Sequence, residues 1–311
     1  MKAAQISGYG GQDALQITND APKPQAGAGE VLVEVYAAST NPFDYKVREG
    51  YLKEYIPLQF PAILGGDVAG KVVAIGDDVE GFEIGQAVYG SAGAAGGHGS
   101  YAEFTVVKSG QLAPKPKNID FNTAAALPLA AVSAYQAVVD HINLQTGQKI
   151  LIHGGAGGIG ALAVQIAKNL NAHVATTVSA SDAEYVKSLG ADEVIDYKAE
   201  DFATKISGYD AVFDTVGGET ADQSYQVLKP GGTLVSMAAQ VNEALAKQYD
   251  VNFISQSTTF TPERLKAVTE LVEAGKLKVN VDKVFPLDQA AEALEYLKTG
   301  HPRGKVVIQV K

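Results

Sequence analysis

The chain has 311 residues, 46% hydrophobic and 19% charged, long enough for two domains with a core each. Its formal net charge of −10 and lack of a basic stripe argue against nucleic acid as a partner, and the count of 0 cysteines excludes disulfides, thiolate metal sites and a thiol nucleophile. No apolar run reaches membrane-spanning length, and Met1-Lys2-Ala3-Ala4-Gln5-Ile6 enters a strand pattern at once, so the expectation is a cytoplasmic protein without a leader or membrane span.

The first 120 or so residues read as β-rich. Val31 to Ala37 is a β-branched run bounded by Gly29 and Asn41-Pro42; Val68 to Ile75, Gln86 to Gly90 and Tyr101 to Val107 follow as short strands between Gly and Asp turns. That spacing suggests a small barrel-like fold. Between the strands, Asn41-Pro42-Phe43-Asp44-Tyr45-Lys46-Val47-Arg48 opens as a short helix, with Pro42 in its first turn and Asn41 able to cap it. Two glycine-dense stretches follow, Leu64 to Gly70 and Ser91 to Ser100, with the loop Tyr51 to Pro61 ahead of them.

From Asn122 the period changes. Ala124 to Ile142 is Ala-rich and helical, and Lys149 to His153 is an apolar strand. Then comes Gly154-Gly155-Ala156-Gly157-Gly158-Ile159-Gly160, and after it the amphipathic helix Ala161 to Leu170. A strand, a glycine-rich turn and a helix in this order form a cradle for a pyrophosphate. The backbone N–H groups must approach the phosphate closely, and the helix N-terminus supplies a positive dipole end. The alternation continues: strand His173 to Val178, helix Asp182 to Leu189, strands Glu193 to Asp196 and Tyr209 to Asp214, helix Ala221 to Leu228, strand Thr233 to Met237. This predicts a parallel sheet with helices on both faces, a doubly wound α/β domain. A long amphipathic helix, Pro262 to Ala274, precedes strand Lys278 to Val284, helix Asp288 to Leu297 capped by Asp288, and strand Lys305 to Val310. The expected division is residues 1–121 for substrate and catalysis, 122–260 for the nucleotide, and 261–311 as a return to the first domain.

The strand after the fingerprint ends Thr176-Thr177-Val178-Ser179-Ala180-Ser181, with no carboxylate before Asp182. An acidic residue there would bind ribose hydroxyls and repel a 2′-phosphate, whereas the hydroxyls of Ser179 and Ser181 can donate to one. The expectation is NADPH, with NADH possible. The histidines, His98, His141, His153, His173 and His301, show no metal-ligand spacing. His153, just ahead of the fingerprint, reads as a packed side chain.

Together, Asn41 to Gly50, Leu64 to Gly70, Gly154 to Gly160 with Ala163-Val164-Gln165, Lys187 to Tyr197, Leu228 to Gly232 and Arg303 to Val307 resemble the zinc-independent medium-chain dehydrogenase/reductases, the quinone oxidoreductases. Asn41-Pro42 with Asp44 and Lys46 looks most like the branch that reduces quinones, 2-alkenals and enones. The resemblance implies a GroES-like β-barrel beside a Rossmann domain, a nicotinamide nucleotide, and a homodimer joined through sheet edges. Zinc-dependent relatives place a Cys where this chain has Asn41 and a His where it has Gly66, so the resemblance implies no metal. Hydrogen-bond donors or a cation must then stabilise the oxygen of a carbonyl substrate that receives a hydride. The resemblance puts Lys46 in that role, with Asn41 as an amide donor or helix cap and Tyr45 as pocket wall or hydroxyl donor. Asp67 ties down a turn and Arg48 makes a structural ion pair. For the nucleotide, Gly155, Ala156, Gly157, Gly158, Ile159 and Gly160 hold the pyrophosphate. Tyr197, with nearby Lys198, packs by the 2′-phosphate, and Ser133, Thr215, Val216 and Met237 run along the cofactor. The competing expectation is a protein of the same fold kept for structural or RNA-binding roles.

Overall fold

The computed structural model describes residues 1–93 and 98–311; residues 94–97, inside the Gly- and Ala-rich stretch, lie outside the described residues. The chain divides into two compact units: Met1–Leu129, Phe260–Glu273 and Val279–Lys311 form one, and Ala130–Thr259 with Ala274–Lys278 form the other.

The first unit is built on a seven-stranded sheet whose spine is Glu30–Ser39. Along one side the spine pairs antiparallel with Asp67–Ile75 over nearly its whole length. Along the other it takes Phe104–Lys108 through its first residues and Lys305–Gln309 through its last. Irregularities between Leu32 and Val33 and between Val35 and Ala37 bend the spine. Its alternate residues Val31, Val33 and Val35 meet Val68, Val72, Val88, Val107 and Leu112 in one core. A three-stranded sheet of Leu15–Thr18, Ala3–Ile6 and Ala62–Ile63 contributes to a second core with Leu64, Tyr101, Ala293, Leu294 and Ile308. Helix Pro42–Arg48 leaves the end of the spine, and helix Pro262–Glu273 buries Leu265, Val268 and Val272, one stripe at helical spacing.

The second unit carries a six-stranded parallel sheet. In space the order is Glu193–Asp196, His173–Val178, Lys149–His153, Tyr209–Asp214, Leu228–Ser236 and Asn252–Ser255. The first strand in sequence therefore lies mid-sheet, and the chain winds outward from it first to one side and then to the other. The crevice between Lys149–His153 and Tyr209–Asp214, at their C-terminal ends, is the topological switch point where α/β sheets bind ligands.

Several boundaries differ from the sequence reading. The strand expected from Tyr101 begins at Phe104, because Tyr101 is a fully buried anchor whose hydroxyl bonds Asp44 at 2.8 Å. The Ala-rich helix is broken at Pro128 into Phe121–Ala125 and Pro128–Tyr135, then ends in a π-helical turn, Gln136–His141. Helix Ala221 to Leu228 is Glu219–Ser224 plus a 3-10 turn, Tyr225–Val227, and the next strand already starts at Leu228, absorbing Pro230-Gly231-Gly232 as an irregularity. The strand placed at Lys278 to Val284 runs Val281–Pro286. Asp288 does not cap the last helix. That helix is Ala290–Thr299 with Gln289 at its N-cap, and Asp288 is drawn into an ion pair with Lys2 at 2.7 Å. Among the described residues no helix is long and apolar enough to cross a membrane.

Candidate active site

In the second unit, the glycine-rich turn leaves strand Lys149–His153 and enters helix Gly158–Asn169, capped by Gly157. The helix thus begins inside the fingerprint rather than at Ala161. Its first-turn N–H groups have no intrahelical acceptors and face outward along the axis. Two glycines are required by packing. A Cβ on Gly155 would sit 2.0 Å from Thr176 Oγ1, and one on Gly160 would sit 2.2 Å from the Gly154 carbonyl oxygen. Gly157 differs: a Cβ there would meet only the Gly154 oxygen at 3.4 Å, ordinary contact. The bare backbone at Gly157 is thus open toward a ligand, and the residues present fit a dinucleotide pyrophosphate.

Apart from Ser133, which lies on helix Pro128–Tyr135, the other residues named for the cofactor follow the C-terminal ends of strands of the same sheet. Thr215 and Val216 follow strand Tyr209–Asp214 at the switch point; the Thr215 hydroxyl donates to the His153 carbonyl at 2.8 Å, and Val216 is 55% exposed. Met237 follows Leu228–Ser236 and donates its N–H to the Asp214 carbonyl at 3.0 Å. Ser179 follows His173–Val178, and Tyr197 follows Glu193–Asp196, its N–H bonded to the Val178 carbonyl at 3.2 Å. Ser179, Ser181 and Tyr197 therefore end adjacent parallel strands. The Ser179 hydroxyl shares a 2.8 Å hydrogen bond with Ser181 and donates to Asp182 at 2.7 Å. Lys198 is exposed, its Nζ 5.8 Å from the centre of the Tyr197 ring. Ser133 is fully buried, its hydroxyl 2.6 Å from that of Thr258 and its carbonyl accepting from Gln256 at 3.0 Å.

Behind this edge lies a polar layer that local sequence reading did not find. Asp214, fully buried, accepts from the Ser236 hydroxyl at 2.6 Å and from the N–H groups of Val216 and Gly217 at 2.9 and 3.0 Å, which fixes the loop that carries Thr215 and Val216. His153 is fully buried between the hydroxyls of Thr177 and Ser224, each at 3.0 Å. Burial pushes its imidazole down to about 4, against a smaller upward pull from Asp214, so it packs as a neutral ring.

In the first unit, helix Pro42–Arg48 starts at Asn41, and Asp44 reaches back to accept the Asn41 N–H at 2.7 Å. The Asn41 carboxamide serves a different purpose. Its Nδ2 donates to Asp67 at 2.8 Å and its Oδ1 accepts from Lys305 Nζ. Asp67 also accepts from the Ser39 hydroxyl at 2.7 Å and the Leu129 N–H at 2.8 Å, and lies 3.3 Å from Lys305 Nζ. The carboxylate expected to tie a turn is thus the hub of a buried polar knot, and Lys305 and Ser39 are members that sequence reading missed, as it missed Tyr101 beside Asp44. Asp44 is buried against Tyr101, and desolvation raises its carboxyl to about 7 although the Asn41 N–H and Tyr101 hydroxyl pull it down. Lys46 is exposed on the helix. Tyr45 is half-buried beneath Lys298, whose Nζ lies 5.8 Å from the ring centre and pairs with Glu49 at 2.8 Å. Arg48 is fully buried and pairs with Glu49 at 2.6 Å, the ion pair expected of it. Among the described residues no group of three or more His, Cys, Asp or Glu is placed to hold a metal ion.

Residues 27–117 match the alcohol dehydrogenase GroES-like domain, and residues 189–308 match a family described as zinc-binding dehydrogenase. The chain is 38% identical to the NADPH-dependent alkenal/one oxidoreductase, chloroplastic, of Arabidopsis thaliana, over 99% of this chain and 79% of that one. It is equally 38% identical to the 2-methylene-furan-3-one reductase of Solanum lycopersicum, with the same coverage of 99% and 79%. The solved quinone oxidoreductase of Coxiella burnetii superposes with a TM-score of 0.93 at 36% identity, covering 100% of this chain and 99% of that one. Likeness along the whole chain, a GroES-like unit and a Rossmann sheet in one chain, and Asn and Gly at positions 41 and 66 converge: the chain belongs to the medium-chain dehydrogenase/reductases, in their zinc-independent quinone oxidoreductase family.

Proposed function

We propose that the protein is an NADPH-dependent reductase of quinones or of the C=C bond of 2-alkenals and enones. The observation that carries the nucleotide half is the bare-backbone cradle at the start of helix Gly158–Asn169, on the switch point of the parallel sheet. The substrate half is supported by what relatives at 38% identity are named for, an NADPH-dependent alkenal/one oxidoreductase and a furanone reductase.

In this reading Gly155, Ala156, Gly157, Gly158, Ile159 and Gly160 hold the pyrophosphate, with the donors supplied at the start of helix Gly158–Asn169, because the Gly155 and Gly157 N–H groups are bonded to the Thr177 and Gly154 carbonyls. Ser179, Ser181 and Tyr197, with Lys198, receive the 2′-phosphate; Thr215, Val216, Met237 and Ser133 line the remainder. When bound, the nicotinamide supplies a hydride. The Asn41 amide donates to the substrate carbonyl oxygen, the Lys46 ammonium offsets negative charge growing there, and Tyr45 walls the pocket. Solvent supplies the proton that completes the reduction. Residues 1–121 and 261–311 handle substrate, and 122–260 the nucleotide. The reading extends to a cytoplasmic homodimer. Strand Asn252–Ser255, which ends the parallel sheet, offers an edge for pairing, and a chain without cysteine suits a reducing compartment. Light scattering on the eluting protein checks the dimer.

The test is a panel of quinones, 2-alkenals, enones and ethanol, each with both nucleotides. Nucleotide oxidation with quinones or enones and none of the reverse reaction with ethanol is the expected result. Failure to oxidise either nucleotide with every acceptor would end the proposal.

A further inference from the structure

The buried knot around Asp67 holds a cation that the reaction as described does not use. Lys305 is 5% exposed and Asp67 1%, in side-chain terms, and Asn41 and Ser39 are also buried. An ammonium has three hydrogens and no lone pair. Here they meet three acceptors: the Thr40 carbonyl at 2.9 Å, Asn41 Oδ1, and Asp67 Oδ2 at 3.3 Å. Lys305 is spent within the knot and has no hydrogen left for a ligand.

Its effect falls on Asn41. A primary amide can usually turn end for end, offering a ligand either its oxygen or its nitrogen. Here it cannot. Turned over, the NH2 would face the Lys305 ammonium, donor against donor, and the oxygen would face the Asp67 carboxylate, acceptor against acceptor. The oxygen is consumed by Lys305 and one N–H by Asp67. A single N–H remains for a ligand, and the oxygen is held facing the ammonium, so the group Asn41 has left to offer is a donor. The cation on Oδ1 also draws electron density through the amide, which makes that remaining N–H a stronger donor toward negative charge than toward a neutral hydroxyl.

We infer that Lys305 is a positioning residue: with Asp67 it locks and polarises the Asn41 carboxamide into a one-way donor aimed at the oxygen on which negative charge grows as a quinone or enone is reduced. The inference rests on the proposed reductase reading. Its distinctive feature is that Lys305 acts through Asn41 and through nothing else.

The experiment is a double-mutant cycle on the NADPH-loaded enzyme, with Asn41→Ala, Lys305→Met and the two combined. It is read by kcat and KM for an enone and by the isotope effect with NADPH deuterated at C4. Lys305→Met should lower kcat about 10- to 100-fold, with KM moving less than about threefold. The isotope effect should rise as hydride transfer becomes slower than the steps around it. The combined variant should be no slower than Asn41→Ala alone. Independent losses that multiply in the combined variant, or an unchanged kcat in Lys305→Met, would overturn the inference. Removing Lys305 alone strands the buried Asp67 charge and risks misfolding. The same cycle is therefore repeated on the charge-free pair Asp67→Asn with Lys305→Met, where Asn41→Ala should add less than about twofold; a full additional loss overturns the inference there too. An unmodified enzyme inactive on all quinones and enones overturns instead the reductase reading itself.

Discussion

His153 and Asp44 are buried titratable groups that acid pushes in opposite directions, and each lies in a different compact unit. His153 sits between Thr177 and Ser224, edge-on to the Phe202 ring at 4.6 Å, and burial lowers it from 6.5 to about 4. Above pH 6.5 the imidazole is neutral whether folded or not, so its packing stabilises in full. As pH falls from 6.5 toward 4 the unfolded chain takes a proton that the folded chain refuses, and stability drops by about 1.4 kcal/mol per pH unit. The loss reaches about 2 kcal/mol by pH 5 and about 3 by pH 4. Asp44 behaves in reverse. Burial raises it from 3.8 to about 7, so on acidification from pH 7 the folded chain binds the extra proton and gains up to about 4 kcal/mol by pH 3.8. Urea unfolding between pH 7 and 5, followed for the parent, His153→Gln and Asp44→Asn, separates the two. Relative to the parent, His153→Gln should gain about 2 kcal/mol on going from pH 6.5 to 5, and Asp44→Asn should lose a similar amount from pH 7 to 5.5. Identical pH slopes in the parent and both variants, within about 0.3 kcal/mol per unit, would refute the assignment of a neutral His153 and a protonating Asp44.

Gly157→Ala should leave thermal stability within about 2 °C of the parent yet weaken NADPH binding about tenfold or more, read by quenching of the nucleotide's fluorescence, because its Cβ meets the protein only at 3.4 Å. Gly155→Ala should instead cost several °C in melting temperature, since its Cβ lands 2.0 Å from Thr176 Oγ1. Lys46→Ala, at an exposed position, should keep the melting temperature while lowering kcat for enones about 10- to 100-fold; unchanged turnover removes Lys46 from the reaction. Lys198→Glu should raise KM for NADPH about tenfold and leave KM for NADH nearly untouched, which steady-state kinetics with both nucleotides will read; equal effects on both would place the 2′-phosphate elsewhere.

What the sequence made legible and what it hid differ by the distance between partners. The fingerprint and its strand and helix are contiguous, so spacing alone locates Gly155 to Gly160 and the start of helix Pro42–Arg48 at Asn41. Between strand Thr233 to Met237 and helix Pro262 to Ala274 the sequence pattern names no element, yet the segment holds helix Glu243–Tyr249 and edge strand Asn252–Ser255. That helix is only seven residues long and fully buries none of them; Leu245, Ala246 and Tyr249 pack partly against the core, too short a stripe for its period to stand out. Asp288 stands where a cap belongs, but the side chain that claims it lies 286 positions away, at Lys2.

The knot at Asp67 is the extreme case. Asn41 precedes a helix and Asp67 sits in a glycine-dense stretch 26 positions on, so each invites a local account, a helix cap and a turn, which satisfies neither the carboxylate's charge nor the amide's second atom. A buried carboxylate ringed only by neutral donors keeps a costly uncompensated charge. The cation that balances it arrives from 238 residues downstream, on strand Lys305–Gln309, because that strand completes one side of the spine where Ser39 ends. Strand order, not local pattern, therefore decides how Asn41 is oriented, and the donor role given to that amide depends on the last strand of the chain being in register. A change that slips Lys305–Gln309 by one residue would turn the Lys305 side chain to the other face of the sheet and free the amide to flip. It should then reproduce the enone kinetics of Lys305→Met while NADPH affinity stays at the parental value.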